Sequence, residues 1–303
     1  MKKILIATTA LVATAGIASA EMALSGSAVM GLDYNDGAVA GSSKTTALME
    51  TYLSFTGSGE TDGGLSFGLS ATLGQYAPHA GTYGDDGTSV YISGAFGKLT
   101  FGDVAEADEV ATLSDIGLTG IGTDNVAEVL SGDSSGGLAH NVNYSYASGP
   151  LSFAASARIG TKTAALTNAS MAVGVKYSFA DYYVGLGYND TDILVGVGAR
   201  DGSTTSLFAG GKVGAVSVKA MYSMFDADSG AASDAKAWGV TGAYTMDALT
   251  VNVAVSDNDL PTNTKASYGV GASYDLGGGA SVVGGLGKVN NVTRAQFGVS
   301  MSF

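Results

Sequence analysis

No cysteine occurs in this sequence. A disulfide-stapled fold is therefore excluded, and an exported chain of this kind must rest on a large core or a long closed hydrogen-bond ladder. Positive charge is also scarce. Apart from Lys2 and Lys3, 12 basic residues stand against 27 acidic ones, a formal net charge of −15. Nucleic acid is a poor partner for such a surface, because phosphate binding needs basic side chains. Only two histidines are present, His79 and His140. They show no H-E-x-x-H or other ligand spacing, which leaves neither a zinc site nor a Ser-His-Asp triad supported. Long apolar runs are missing beyond the N-terminus: no later segment reaches the 18 consecutive apolar residues of a spanning helix.

The first residues read differently. Met1-Lys2-Lys3 is a short positive region, Ile4 to Ile17 is apolar, and Ala18-Ser19-Ala20 is an A-x-A cleavage site. Residues 1–20 are expected to be a secretory signal peptide, with the mature chain beginning at Glu21. The apolar run is shorter than a membrane anchor of about 20 residues requires.

Hydrophobic residues nevertheless make up 46% of the chain, with 46 glycines and 15 tyrosines. A chain this apolar without apolar runs hides its hydrophobicity in alternation. Leu65, Phe67, Leu69, Ala71 and Leu73 alternate with Ser66, Gly68, Ser70 and Thr72. The last residues behave the same way: Ala295, Phe297, Val299, Met301 and Phe303 fall on one parity, Arg294, Gln296, Gly298, Ser300 and Ser302 on the other. Successive side chains of a strand point to opposite faces, so each such segment is a strand with one oily and one wet face. Sixteen are expected, near 21–34, 47–57, 64–75, 88–96, 97–103, 138–147, 150–160, 168–180, 182–199, 203–213, 215–225, 236–246, 248–257, 265–276, 279–290 and 293–303. Links such as Phe179-Ala180-Asp181 and Leu276-Gly277-Gly278-Gly279 are tight turns, and others are long and polar. That rhythm is an up-and-down antiparallel meander.

The oily parity is rich enough to meet lipid and carries tyrosines near segment ends, among them Tyr34, Tyr146, Tyr177, Tyr188, Tyr222, Tyr244 and Tyr268. The single Trp238 opens a strand and reads as another interface anchor. In a bilayer every backbone polar group must pair, which closes the sheet into a ring. The expected fold is all-β: a transmembrane antiparallel β-barrel of 16 strands enclosing an aqueous channel, spanning residues 21–303. The final strand closes the ring against the first.

One stretch breaks the alternation, Val104 to Gly137. It holds Glu106, Asp108, Glu109, Asp115, Asp124, Glu128 and Asp133 without a single Lys or Arg. A loop of this length is usually functional or disordered, and a solvated surface loop with a charge run is the plain alternative. Folded into the barrel as a long third loop, 104–137 would be a constriction loop that narrows the pore, with Ala105 to Leu113 as a short helix. Inward-facing Lys98, Arg158, Lys176, Lys212, Lys219 and Arg294 would face its carboxylates across the opening.

Four blocks carry a resemblance: "DGGLSFG" (62–68), "DGTSVYISGAFGKLTFGD" (86–103), "YYVGLGY" (182–188) and "YGVGASYDLGGGASVVGGLG" (268–287). They resemble the general-diffusion porins of photosynthetic alphaproteobacteria, the Rhodobacter type. The resemblance implies a homotrimer in the outer membrane among lipid and lipopolysaccharide, with the third loop as the pore eyelet and passive diffusion of small hydrophilic solutes. It also implies that Phe303 is the signal read by the outer-membrane assembly machinery. One departure matters. Where the family's second strand begins with a Ser-Arg-x-Arg-like run, this chain reads Thr46-Ala47-Leu48-Met49-Glu50-Thr51-Tyr52, with Glu50 and Tyr52 on the inward parity and only Lys44 nearby. A wall that loses positive charge while the loop stays acidic is expected to favour cations.

Other motifs carry little. Gly64-Leu65-Ser66-Phe67-Gly68 fits a nucleophile elbow but lies within an alternating strand rather than a strand-to-helix turn. Solvated positions are expected for His79, in a loop, and the apolar face near a rim for His140. Asp190-Thr-Asp192, Asp226-Ala-Asp228-Ser-Gly230 and Asp257-Asn-Asp259 resemble fragments of calcium loops without meeting the EF-hand pattern. A weak structural Ca²⁺ at such acidic loops is the one cofactor expectation. The rival readings are a barrel-borne enzyme such as an outer-membrane phospholipase, an adhesive Gly-rich surface protein and a substrate-specific porin. They lack, respectively, a histidine partner, a fixed repeat, and an aromatic slide or basic ladder.

Overall fold

The computed structural model describes residues 21–76, 84–132, 140–160, 170–192, 201–228 and 233–303. Sixteen strands follow in chain order within them: β1 (Glu21–Asn35), β2 (Thr45–Glu60), β3 (Ser66–Gln75), β4 (Gly84–Gly94), β5 (Gly97–Gly102), β6 (Val142–Ser148), β7 (Leu151–Ala157), β8 (Ser170–Phe179), β9 (Tyr182–Asp192), β10 (Asp201–Val213), β11 (Val216–Ala227), β12 (Ala235–Met246), β13 (Leu249–Asn258), β14 (Ser267–Gly277), β15 (Ala280–Val289) and β16 (Val292–Ser302). One turn of helix, α1 (Asn125–Glu128), lies between β5 and β6. Every strand pairs antiparallel with its neighbours in sequence, and β16 pairs back onto β1 to close the ring. The closing register runs from Ser27↔Ser302 to Asn35↔Arg294. Phe303 completes it, donating its N–H to Gly26 O at 2.8 Å.

Alternation assigns the two faces. Leu24, Val90, Phe153, Leu186, Val253 and Phe297 are all exposed. The partners across each strand pair share this parity, as in Phe153↔Val175↔Leu186↔Leu207. A continuous apolar surface of this kind is not covered by the protein itself and belongs in hydrocarbon. Closure leaves no strand edge, so every ladder amide finds a partner there.

The two rims differ. At the rim where the chain enters β1, the connections are short: Ala180-Asp181, Gly214-Ala215 and Asp247-Ala248 each join two strands. The β14–β15 turn places Gly277, Gly278 and Gly279 at φ +80°, +66° and +86°, a left-handed run that side chains with a Cβ resist. Tyr146, Tyr177, Tyr182 and Tyr244 stand exposed near this rim, and Tyr188, Tyr222, Trp238 and Tyr268 are exposed toward the other. The two belts are where amphipathic rings meet a membrane interface.

The strands match the alternation within a few residues, with two differences. The ninth ends at Asp192 among the described residues, and 193–199 lie outside them. The short helix expected over 105–113 does not form; the helical turn is α1 instead. Backbone groups of 105–113 are engaged by side chains of the wall, and that tertiary pairing overrides local propensity.

Candidate functional site

Residues 103–132 leave β5 and run along one face of the sheet, the polar parity, from β6 round to β16. Side chains of that polar face hold them in sequence. Asn143 on β6 donates Nδ2–H to Ala105 O at 2.8 Å, and Ser156 Oγ on β7 accepts the Ala107 N–H at 2.8 Å. Asn252 on β13 donates to Asp115 O at 2.7 Å. Gln296 on β16 takes the farthest point: its Oε1 accepts the Leu118 and Thr119 N–H groups, both at 3.0 Å, while its Nε2 donates to Asp33 on β1 at 3.0 Å. The chain then returns. Ser256 donates to Thr123 O, and Asn258 Nδ2 donates to Val126 O at 2.7 Å.

Apolar side chains seat the same segment. Leu113 and Ala127 pack on Phe208 and Met221, Leu130 packs on Phe225, Ala235 and Ala237, and Ile116 and Ile121 pack with Ala254. These are the molecule's only clusters of buried apolar side chains among the described residues. Close approach requires glycine beneath the segment. A Cβ on Gly174 would overlap the Ala107 carbonyl oxygen, and one on Gly187 would overlap that of Asp108.

A buried polar network anchors the start of the segment. His140, just ahead of β6, is 1% exposed and bonds Ser156 Oγ through Nδ1 at 2.6 Å and Ser170 Oγ through Nε2 at 2.8 Å. Thr191 donates its hydroxyl to Asn189 Oδ1 at 2.7 Å, and Ser170 directs its own proton toward Asn189 and Thr191. Ser170 therefore accepts from His140, which assigns the imidazole proton to Nε2 and leaves Nδ1 to accept from Ser156. Burial, and then the Arg158 charge, push the His140 pKa down to about 4. The network continues to the segment itself: Asn189 Nδ2 donates to Asp108 Oδ1 at 3.4 Å, and Asp108 Oδ2 accepts the Gly132 N–H at 2.8 Å.

The acidic residues divide by environment. Glu106, Asp108 and Asp124 are buried, whereas Glu109 and Asp115 remain exposed. Glu128 accepts the Leu113 N–H at 2.6 Å. Desolvation first, then the Asp108 and Glu128 carboxylates, push Glu109 up to about 7 although solvent reaches it. Desolvation and the adjacent Asp115 push Asp124 up to about 7, and desolvation also raises Glu128. Asp133 lies outside the described residues.

The basic residues are not brought opposite this segment as a set. Arg158, Lys176, Lys212, Lys219 and Arg294 project from β7, β8, β10, β11 and β16, or just beyond them, on the arc the segment covers. Arg294 donates to Ile121 O at 3.5 Å. Lys98, on β5, is the one that stands on the uncovered arc, its ammonium 4.2 Å from the Tyr91 ring centre. Lys44 is not on the wall. It precedes β2 and pairs with Asp36 in the β1–β2 connection. On β2, Tyr52 donates its hydroxyl to Glu50 at 3.0 Å and meets the Tyr76 ring edge-on at 5.6 Å.

His140 departs from its expected place on the apolar face, because β6 begins two residues later and strand parity does not reach it. His79 lies outside the described residues, as do 229–232, into which the Asp226–Gly230 motif runs. Among the described residues, no three His, Asp or Glu side chains are grouped to hold a metal ion. The inward amides of Asn143, Asn252, Asn258 and Gln296 were not singled out from the sequence. Large apolar residues on the wet parity, Phe208, Met221 and Phe225, were the readable signal for where the segment is seated.

A closed sixteen-stranded ring with an oily exterior and a polar interior face defines an outer-membrane β-barrel. The chain belongs to the Gram-negative porin family, whose model matches residues 7–294. It is 36% identical to a porin of Rhodobacter capsulatus over 310 residues, covering 93% of this chain and all of that one. A solved porin structure, 32% identical, superposes with a TM-score of 0.71 over 93% of this chain and all of that one. A variant of the Rhodopseudomonas blastica porin superposes with a TM-score of 0.74 at 21% identity over the same shares, and shows the fold alone.

Proposed function

We propose that the ring encloses a water-filled channel for passive diffusion of ions and small hydrophilic solutes, that residues 104–132 lie within it as its constriction, and that it prefers cations. One observation carries the preference. The open side of the lumen presents Glu50 and Tyr52 from β2, and the segment carries the exposed carboxylates Glu109 and Asp115. Most inward basic groups project from the covered arc instead. A water-filled constriction lined by carboxylates raises the local cation concentration and penalises anions. We also read the small residues Gly26 and Ala28, on the apolar parity of β1, as a contact between copies in a homotrimer.

The test is single-channel recording of the purified protein in a planar bilayer under a KCl gradient. A reversal potential of the sign for K⁺, moved toward zero by Glu50→Lys, is the expected result. A chloride-signed potential overturns the cation preference, and absence of current from folded protein overturns the channel. Current steps grouped in threes support the trimer, and isolated single steps overturn it.

A further inference from the structure

Beside the start of the segment, toward the short-turn rim, lies a cavity of about 1170 Å³. Its wall is made of small hydroxyl side chains, Ser93 and Ser145 among them. Two ammonium groups and three carboxylates line it as well: Lys98 and Lys176, the buried Glu106, and Asp103 and Glu109, which solvent reaches. No ion pair joins Lys98 or Lys176 to Asp103 or Glu109. Instead, the lysines are held by rings. Lys98 lies over Tyr91 at 4.2 Å and Lys176 near Tyr183 at 5.7 Å from the ring centres.

The charges are separated by height. Lys98 follows the β4–β5 turn directly, and Asp103 follows the opposite end of the same strand. At roughly 3.3 Å per residue, five residues of strand keep the two apart by about 16 Å along β5. On β8, Lys176 is two residues, or about 7 Å, from Gly174. Gly174 is where Val110, the neighbour of Glu109, touches the wall. The lysines thus form the floor and the carboxylates the roof of a hydroxyl-lined bay. Opposite charges that cannot reach each other leave a field across the space between them. A solute that carries both signs at its two ends satisfies both walls at once, and a solute with one sign meets attraction at one and repulsion at the other.

We propose that this bay is a binding station for small zwitterions, molecules of the amino-acid or betaine type, with the carboxylate toward Lys98 and Lys176 and the ammonium toward Glu109 and Asp103. The inference rests on the channel reading. It goes further in giving the lumen a saturable site on the short-turn side of the constriction. The serine hydroxyls supply hydrogen bonds to the solute without charge preference.

The test uses the purified channel in a planar bilayer at low ionic strength, where charges are least screened. The pH is 8, above the range in which Glu109 titrates. γ-Aminobutyrate is titrated against the K⁺ current, with erythritol as an uncharged solute of similar size. The expected result is a saturating, reversible current reduction by the zwitterion and an unsaturating one by the polyol. Lys98→Met with Lys176→Met should raise the half-saturating concentration by about tenfold or more, each variant compared with its own K⁺ current. Lys98→Gln alone, at an exposed side chain, carries the same comparison if the double variant does not insert. Identical effects of zwitterion and polyol, or an unchanged half-saturating concentration in the variants, overturn the station and leave the channel standing. No K⁺ current from the unsubstituted protein overturns the channel reading, and the station with it.

Discussion

The inner wall has two halves that obey different rules. From β6 to β16 the polar parity serves as a seat: it carries amides at Asn143, Asn252, Asn258 and Gln296, and large apolar residues at Phe208, Met221 and Phe225. From β2 to β5 the same parity is Ser54, Thr72, Ser89 and Lys98, with no buried apolar cluster on it among the described residues. The outer faces of the two halves are alike, because lipid asks the same of both. The polar faces differ because one half binds 103–132 and the other does not. The asymmetry of the lumen is thus written on one parity only.

The largest effect should come from removing the clearance under the segment. Gly174→Val puts side-chain atoms where the Ala107 carbonyl lies. We expect the segment to detach, seen as new protease cleavage within 104–132 and a changed single-channel conductance. The same residue introduced on the open half, Ser70→Val, should leave the segment resistant. Equal cleavage in both would erase the distinction between the halves.

Next in size is the polar stitch at the far end. Gln296→Ala leaves the Leu118 and Thr119 N–H groups without their acceptor and removes a donor to Asp33. Burying such groups unpaired costs about 1–3 kcal/mol. Hydrogen exchange at Leu118 and Thr119 should accelerate accordingly, while exchange in β3 and β4 stays as it was.

Acidity acts on the covered half with two signs. Glu109, Asp124 and Glu128 have raised pKa values, so they favour the seated state below the ordinary carboxylate range and lose that contribution as pH rises, through about 7 for Glu109 and Asp124. His140 is held neutral, and its contribution is lost as pH falls from about 6.5 toward 4, by up to about 3 kcal/mol. The carboxylates outnumber His140 over the same window, so protease resistance of 104–132 should fall as pH rises from about 4 to about 7, with His140 making the fall shallower. Over the same scan, cation preference should weaken as pH drops from 8 to 6, because the constriction loses charge. His140→Asn should steepen that fall in resistance. A resistance profile that rises over the window would mean that the carboxylates do not act.

The smallest effect is expected at Lys44. Its pair with Asp36 is solvent-exposed and lies off the wall. Lys44→Ala should leave the reversal potential and the protease pattern unmoved.

Most of the ring was legible because period-two alternation states both the strand and its faces. Leu65 to Leu73 and Ala295 to Phe303 are sufficient examples. The acidic stretch was legible as an interruption of that period. What it touches was not. An Asn or Gln on the wet parity looks the same whether it meets water or a backbone carbonyl 2.7 Å away, as Asn252 does. The arrangement of charge is less legible, for a related reason. Parity says that Lys176, Lys212 and Lys219 point inward but does not say on which arc they stand. That depends on the path of 103–132 round the ring. Met221 and Phe225 carried the missing information, since a large apolar side chain on a wet face needs something to cover it.

Gln296 adds a consequence for the order of assembly. It sits on β16, the strand whose backbone closes the ring against β1, and its side chain grips residues 177 and 178 positions earlier in the chain. The closing strand thus performs two tasks at once, the seam and the stitch. Until β16 arrives, Leu118 and Thr119 lack their acceptor, although β6 to β13 already hold the rest of the segment. Closure of the ring and fixing of the tip should then appear together as one late event.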